Sequence, residues 1–250
     1  MRSVPAAAMA TAAVLGLAAC GGGGSSTLTV SAAASLKGAF GAFARSFPAR
    51  ARFSFAGSDE LAAQIRQGAR PDLYAAANTT LPAQLFRAGL VERPVPFATN
   101  RLVVAVPAGS GRVHSLADLE RPGVTIAAGA AGVPIGAYTR ELLRRLGRRL
   151  SRRIAANIRS GEPDVAGVVG KVAQGAADAG FVYATDVAAT HGRLRAIELP
   201  ARARPRVAYA AAVVKGARHP VQARTFLHAL LRGGGRATLR RAGFGPAPRR

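Results

Sequence analysis

The stretch "VSAAASLKGAF" (residues 30–40) contains the junction that decides the fold. It begins as an apolar strand, breaks over three alanines and changes at Ser35 into a helical pattern. A catalytic junction normally places a base or a metal ligand nearby, and residues 30–40 contain no Asp, Glu, His or Cys. The pattern favours a site that only holds a molecule, with a hydroxyl and bare backbone N–H groups.

Short apolar runs alternate with amphipathic helical segments from Thr27 onward, which indicates an α/β fold. Ser58 precedes a helical pattern with acids in its first turn, and we predict it to be the N-cap of that helix. The predicted strands are residues 27–32, 51–57, 72–78, 101–109, 124–130, 152–158, 179–186, 194–200 and 206–214. The predicted helices are residues 36–47, 58–68, 81–90, 115–120, 136–147, 164–177, 219–233 and 235–244.

The size and composition indicate a globular chain. The 250 residues suffice for one large domain or two small lobes with a sizeable core. Hydrophobic residues make up 49% of the chain and charged residues 19%, which argues against a disordered protein.

The chain is strongly basic, with 35 Lys and Arg against 12 acids and a formal charge of +23. The basic residues are scattered, with short clusters in residues 140–153 and 236–250. Aromatic residues are only 6% and Trp is absent, so the chain has little to stack on nucleic-acid bases. We therefore interpret the charge as a solvated surface that favours anionic membrane, and expect no nucleic-acid partner.

The N-terminus has the pattern of an export signal. A short basic start and an apolar stretch over residues 4–19 precede Cys20, the only cysteine of the chain. "LAAC" (residues 17–20) resembles a bacterial lipobox, which predicts a signal peptide over residues 1–19, lipidation of Cys20 and a Gly/Ser tether over residues 20–26. The alternatives are an ordinary signal peptide with an incidental cysteine, or a buried core cysteine. Either form of signal predicts an exported protein, and no other segment is long and apolar enough to span a bilayer.

The sequence contains none of the common catalytic or metal-binding motifs. There is no G-x-S-x-G elbow, no H-E-x-x-H and no P-loop, because "GVVGKV" (residues 167–172) has too short a spacing. The four histidines lie far apart, so we predict no metal site. Turn chemistry explains Asp72, Asp178 and Asp186, and no general acid and base are singled out.

Several predicted helices begin directly after a strand. These starts are at Ser35, at Ser58, in "GVPIGAY" (residues 132–138) and in "GEPDVAG" (residues 161–167). Helix N-termini expose unpaired N–H groups and a partial positive charge, so they bind anions. Each start taken singly is more often an ordinary helix cap than a ligand site.

Taken together, an ordered set of blocks resembles the molybdate-binding proteins of ABC uptake systems and covers residues 28–244. The blocks are "SAAASL", "FAGSDELAAQI", "PDLYAAAN", "RLVVAVP", "VPIGAY", "EPDVAGVVGKV", "GFVYATD" and "RAGFG". The resemblance implies a two-lobed periplasmic-binding-protein fold, in which crossing hinge strands join the lobes and a cleft between them closes on a tetrahedral oxyanion. It places hydroxyl donors at Ser35 and Ser58, backbone N–H donors at Ile135 and Val165, and a phenol at Tyr183.

The resemblance also implies a biological role. The protein would capture molybdate or tungstate and deliver it to an ABC permease, as a monomer without catalytic activity or cofactor. The metal would be bound only as its oxyanion. We expect one lobe from residues 27–97 and 206–250 and the other from residues 98–205, with the protein lipid-anchored on the outer face of the cytoplasmic membrane or periplasmic.

Three alternatives stay open at this stage. The same fold could bind sulfate or another small anion, the chain could be an exported enzyme on a similar fold, or its basic surface could bind a polyanion. The chain also differs from the family pattern at Asp59, where a run of serines is common, and at Ile135, which is bulkier than usual. A carboxylate at Asp59 is compatible with an anion only if it points away from it.

Overall fold

The computed structural model describes residues 27–109 and 111–248. The predicted signal peptide, Cys20 and the tether lie outside these residues and stay predictions. Two five-stranded mixed sheets form the framework, each with helices packed against it. This confirms the predicted two-lobed α/β fold class.

The first sheet contains strands from both ends of the chain, in the order β2-β1-β3-β10-β4. Its strands are β1 (Leu28–Ala33), β2 (Ala51–Ala56), β3 (Leu73–Ala76), β4 (Val95–Asn100) and β10 (Val207–Val213). The first three are parallel, so their carboxyl ends lie at one edge, whereas β10 runs antiparallel to its neighbours. Its helices are α1 (Lys37–Ala44), α2 (Ser58–Arg66), α3 (Thr80–Arg87), α8 (Pro220–Arg232) and α9 (Gly234–Arg241).

Alternation along β3 explains why helices cover both faces of this sheet. Tyr74 and Ala76 pack in one buried cluster with residues of α2 and α3, while Leu73 and Ala75 face a second cluster that contains Phe40. Successive side chains of a strand point to opposite faces, and here both faces are apolar.

The second sheet has the order β7-β6-β8-β5-β9. Its strands are β5 (Leu102–Pro107), β6 (Ile126–Gly129), β7 (Ile158–Glu162), β8 (Ala179–Tyr183) and β9 (Leu194–Glu198). Here β6, β7 and β8 are parallel and end at a common edge. Its helices are α4 (Pro134–Arg145), α5 (Arg148–Ala156), α6 (Val165–Ala173) and α7 (Ala184–Ala188).

The chain crosses between the two sheets twice. Strand β4 pairs with β10 as far as Asn100, and after Arg101 the chain enters β5 of the second sheet. It returns between β9 and β10. We propose the division into residues 27–97 with 206–250, and 98–205, which follows this change of sheet to within a few residues.

Several predictions of secondary structure were wrong. Residues 179–186 were predicted as a strand, but β8 ends at Tyr183 and helix α7 begins at Ala184. Residues 152–158 were predicted as a strand, but α5 continues to Ala156 and only Ile158 begins a strand. The half-buried Leu150 and the buried Ile154 are four residues apart and lie on one helical face. This spacing favours a helix over a strand. Strand β4 was not predicted. It contains Pro96, which is tolerated there because β4 is an edge strand.

The two lobes contain the same side-chain clamp. In the first lobe, the N–H and hydroxyl of Thr29 donate to Asp72 Oδ2 at 2.7 and 2.8 Å. In the second lobe, the N–H and hydroxyl of Thr125 both donate to Asp178 Oδ2 at 2.8 Å. Burial opposes ionisation of both carboxyls, but these hydrogen bonds hold the pKa of each below its usual range. The aspartates predicted as turn residues therefore tie neighbouring strand starts together.

Within residues 27–109 and 111–248, the helices are all too short or too polar to cross a membrane.

The turn that connects β6 to α4 has no room for a side chain at Gly136. A Cβ there would lie 2.0 Å from the carbonyl oxygen of Ala130 and 2.5 Å from that of Gly129. Because both neighbours are backbone atoms, the turn itself would have to move. The glycine of "VPIGAY" thus allows α4 to begin directly beside the end of β6.

We predict that Gly136→Ala lowers the free energy of unfolding by about 1–3 kcal/mol, the cost of overpacking a tight interior. Gly38→Ala is the matched control, since a Cβ on this helical glycine meets nothing within 4 Å. It should be neutral or stabilise the helix by about 0.5–1 kcal/mol. Urea denaturation of both variants measures the difference, and equal effects would contradict the close approach.

Candidate functional site

The carboxyl ends of three parallel strands in each sheet meet around one cavity. In the first lobe β1, β2 and β3 end there, and in the second lobe β6, β7 and β8 end there. The cavity encloses about 240 Å³ of empty space, including the part open to solvent. Its lining consists of Ala33, Ala34, Ser35, Ala56, Gly57, Ser58, Ala77, Val133, Pro134, Ile135, Asp164, Val165 and Tyr183. The structure thus brings all five predicted site residues together.

Ser58 is buried at the first position of α2, and the N-cap is Gly57. The predicted N-cap role of Ser58 is therefore wrong. Its Oγ instead accepts a hydrogen bond of 3.1 Å from the N–H of Ala77. Because that bond uses an acceptor site of the hydroxyl, the Ser58 proton is free to be donated into the cavity.

Ser35 lies within the 3-10 turn Ala34–Leu36 that precedes α1, and its side chain caps neither helix. The expected capping role is wrong here also. Its Oγ lies 2.9 Å from the hydroxyl oxygen of Tyr209, a residue that the sequence did not single out. The partner of Ser35 is thus a second hydroxyl and not a helix backbone.

Neighbouring groups orient the Asn100 amide beside the Ser35–Tyr209 hydrogen bond. The N–H of Arg101 donates to Asn100 Oδ1 at 2.8 Å, so Asn100 Nδ2 faces the other way. That nitrogen donates to Thr185 Oγ1 at 2.8 Å and to the Tyr209 hydroxyl at 3.5 Å. Either hydroxyl can donate in the Ser35–Tyr209 bond, and when Tyr209 donates, the Ser35 proton is available to the cavity.

Ile135 and Val165 contribute backbone N–H groups from two helix starts. Ile135 follows Pro134 at the beginning of α4, and Val165 is the first residue of α6. The first N–H groups of a helix have no partner within the helix and carry its positive partial charge. Asp164 caps α6 by accepting from the N–H of Gly167 at 2.9 Å, three residues into the helix. The Val165 N–H is therefore left for the cavity.

Tyr183 ends β8 and is almost fully buried, with an exposed fraction of 1%. Its hydroxyl oxygen has no hydrogen-bond partner among the described residues, although it lines the cavity. Burial raises the pKa of this phenol well above its usual range, so it stays a neutral donor. A buried polar group without a partner costs free energy, and a ligand at this position would remove that cost.

The cavity contains no cationic side chain among its described lining residues. Behind it, Asp186 accepts a 3.0 Å hydrogen bond from the Tyr183 N–H. Desolvation raises the pKa of Asp186 to about 7 in spite of that bond. The hydrogen-bond donors of the site are therefore neutral, and the lining contains one carboxylate, Asp164, which accepts from the Gly167 N–H.

In the part of the chain that the structure describes, no three His, Cys, Asp or Glu side chains come together as a group that could hold a metal ion. The residues that sequence reasoning missed are Asn100, Tyr209 and Ala77. Tyr209 lies in an apolar strand and Ala77 contributes only its backbone, so no local pattern distinguishes either residue.

Comparison with known proteins agrees with this arrangement. The family model described as "Bacterial extracellular solute-binding protein" matches residues 28–245. The molybdate-binding protein ModA of Mycobacterium tuberculosis is 36% identical over 92% of this chain and 93% of its own length. The Escherichia coli protein of the same name is 31% identical over 76% of this chain and 77% of its own length.

The fold also matches a solved structure. The periplasmic molybdate-binding protein of Azotobacter vinelandii superimposes with a TM-score of 0.78 and 23% identity, over 89% of this chain and 100% of that one. At this identity the match shows the fold. Together with the family match over residues 28–245, it establishes that the chain belongs to the bacterial extracellular solute-binding protein family.

Proposed function

We propose that this protein captures molybdate or tungstate in the cavity between its lobes and delivers it to an ABC permease. The observation that carries the proposal is that Tyr183 lines the cavity and that its buried hydroxyl has no hydrogen-bond partner among the described residues. Ser35 and Ser58, which carry hydroxyls, and Ile135 and Val165 at two helix starts line the same cavity. The curated relatives named as molybdate-binding proteins support the choice of ligand.

Neutral donors are a physically sound way to hold a buried oxyanion. Hydrogen bonds to a charged group are roughly twice as strong as neutral ones, and the anion itself supplies the charge. An ion pair in the same place would require desolvation of a second charge, which can exceed its Coulombic gain. Backbone N–H groups also cannot accept, so the site favours anions that carry no acid hydrogen. That preference selects against phosphate.

The proposal includes no catalysis. The lining groups of the cavity are hydroxyls, amides, a phenol and one carboxylate, Asp164, which is engaged by Gly167. None forms the paired nucleophile and base of covalent catalysis. The protein acts on its ligand by binding and release alone, as a monomer whose partner is the membrane permease.

The first prediction from this proposal concerns the ligand and its mode of binding. Molybdate at a hundred times its dissociation constant should stabilise the fold by about 2.7 kcal/mol. That shift should persist at high salt, because little solvent separates the donors from the anion, whereas surface attraction fades over a Debye length of about 8 Å. Phosphate should give no such shift. Thermal unfolding with molybdate, tungstate, sulfate and phosphate, in low and high sodium chloride, measures this.

Two variants make that experiment specific to the cavity. Ser58→Ala should lose most of the stabilisation by molybdate, since it removes a buried donor. Ser46→Ala, at an exposed position just after α1, should keep that stabilisation. A larger shift with sulfate than with molybdate would assign the site to sulfate. Equal shifts for all anions that vanish with salt would contradict a built site.

The second prediction concerns Tyr183→Phe. Removal of a hydroxyl without a partner should leave the free energy of unfolding of the ligand-free protein unchanged or raise it by about 1 kcal/mol. The same change should weaken molybdate binding by about 1.5–3 kcal/mol, the scale of a hydrogen bond to a charged group. Chemical denaturation and titration calorimetry measure the two effects.

Tyr74→Phe is the matched control for this prediction. The Tyr74 hydroxyl is equally buried, but it donates to the carbonyl oxygen of Ser58 at 2.6 Å. Its loss should destabilise the ligand-free protein by about 1 kcal/mol. If Tyr183→Phe destabilised the protein as much and left binding intact, Tyr183 would be a structural residue only.

The third prediction concerns the anchor, and it rests on the sequence of residues 17–20. Cys20→Ser should release the protein from membranes without impairing molybdate binding, because the lipid is attached outside the binding fold. Fractionation of cells that express each form, followed by titration of the soluble variant, measures both effects. If the unchanged protein appeared in the soluble fraction as much as Cys20→Ser does, the lipid anchor would be contradicted.

A further inference from the structure

Asp59 lies where the two lobes touch. It is the second residue of α2 in the first lobe, and its Oδ2 would lie 3.3 Å from a Cβ on Gly132 of the second lobe. A Cβ added at Gly57 would lie 2.9 Å from Asp59 Oδ1. It would also lie 2.5 Å from the carbonyl oxygen of Pro163, which belongs to the second lobe. Gly57 is therefore the point at which the backbones of the lobes meet.

The Asp59 carboxylate has no partner at this contact. Oδ1 is buried without a hydrogen-bond partner among the described residues, although the side chain as a whole is half-buried. The group from the opposite lobe that lies nearest to the Cβ position of Gly57 is the Pro163 carbonyl oxygen, itself an acceptor. Two hydrogen-bond acceptors thus crowd Gly57 from opposite lobes with no donor between them.

The physical consequence depends on lobe separation. When the lobes move apart, water can solvate Oδ1, and the N-terminus of α2 still favours the negative charge. When they close, the carboxylate loses that water and gains no hydrogen bond, which is costly for a charged group. Asp59 is also adjacent in sequence to Ser58, so its charge repels an oxyanion held there. Both effects oppose the closed, loaded state.

We propose that Asp59 limits the affinity of the site and promotes release of the anion by opposing lobe closure. It is a positioning residue that acts through the lobe contact, since it does not line the cavity. The proposal rests on the proposed oxyanion-binding function. A ligand shifts a conformational equilibrium only by its differential affinity for the two states, so a residue that disfavours the closed state lowers apparent affinity directly.

Asp59→Asn tests the proposal, because it removes the charge and keeps the shape. Molybdate affinity should rise about tenfold, equivalent to about 1.4 kcal/mol. Most of that gain should appear as slower dissociation. Titration calorimetry and stopped-flow displacement measure the two quantities. Asp59→Ser is a second variant without the charge. It covers the case that the amide introduced by Asp59→Asn finds no hydrogen-bond partner.

Glu60→Gln is the matched control. Glu60 is the next residue of the same helix turn, but it is exposed and accepts a 3.2 Å hydrogen bond from Gln64 Nε2. The substitution Glu60→Gln removes the same charge outside the lobe contact. It should therefore change molybdate affinity little, and any effect should vanish at high salt. The effect of Asp59→Asn should persist at high salt. Equal effects of the two variants, or weaker binding by Asp59→Asn, would overturn the proposal.

A second readout separates this inference from the proposed ligand. Small-angle X-ray scattering of the ligand-free protein should show a smaller radius of gyration for Asp59→Asn than for Glu60→Gln, because the closed form becomes more populated. If the unchanged protein binds none of the four oxyanions but the radius still decreases, the ligand is wrong and the closure device stands. If neither radius nor affinity changes, Asp59 has no such role.

Discussion

A buried oxyanion has to receive hydrogen bonds from every side at once, and no single sheet can surround it. In the proposed site the donors follow strands β1 and β2 of the first sheet and strands β6, β7 and β8 of the second. The rest of the structure follows from that requirement. The strands end at common edges, the helices begin directly beyond them, and Gly57 and Gly136 allow backbone to approach where a side chain would block it.

The lobes are connected by more than the two crossing segments. Asn100, at the end of β4, donates to Thr185 of the second lobe and to Tyr209 of the first. Tyr209 in turn orients the hydroxyl of Ser35. The Ser35–Tyr209 hydrogen bond therefore belongs to the same network that spans the hinge.

Much of this could be predicted from the sequence, for physical reasons that differ between elements. Alternating apolar runs and amphipathic helices predict the α/β class because periodicity is a local property. The five cavity residues came from the resemblance of ordered blocks, because a helix start alone does not distinguish a cap from a ligand. The roles of Ser35 and Ser58 could not be predicted, since they depend on Tyr209 and on the N–H of Ala77, which lie far away in sequence. The position of the Asp59 carboxylate likewise depends on Gly132 and Pro163, which only folding brings near it.

The central claim is that neutral donors of both lobes hold one molybdate in the cavity. Crystals of the mature protein grown with molybdate, measured at the molybdenum absorption edge, test it most directly. The account predicts one strong anomalous peak in the cavity, with oxygens within hydrogen-bonding distance of the Ser58 and Tyr183 hydroxyls and of the Val165 N–H. A cavity without a peak, together with molybdenum bound at the arginine-rich surface of residues 140–153, would contradict it.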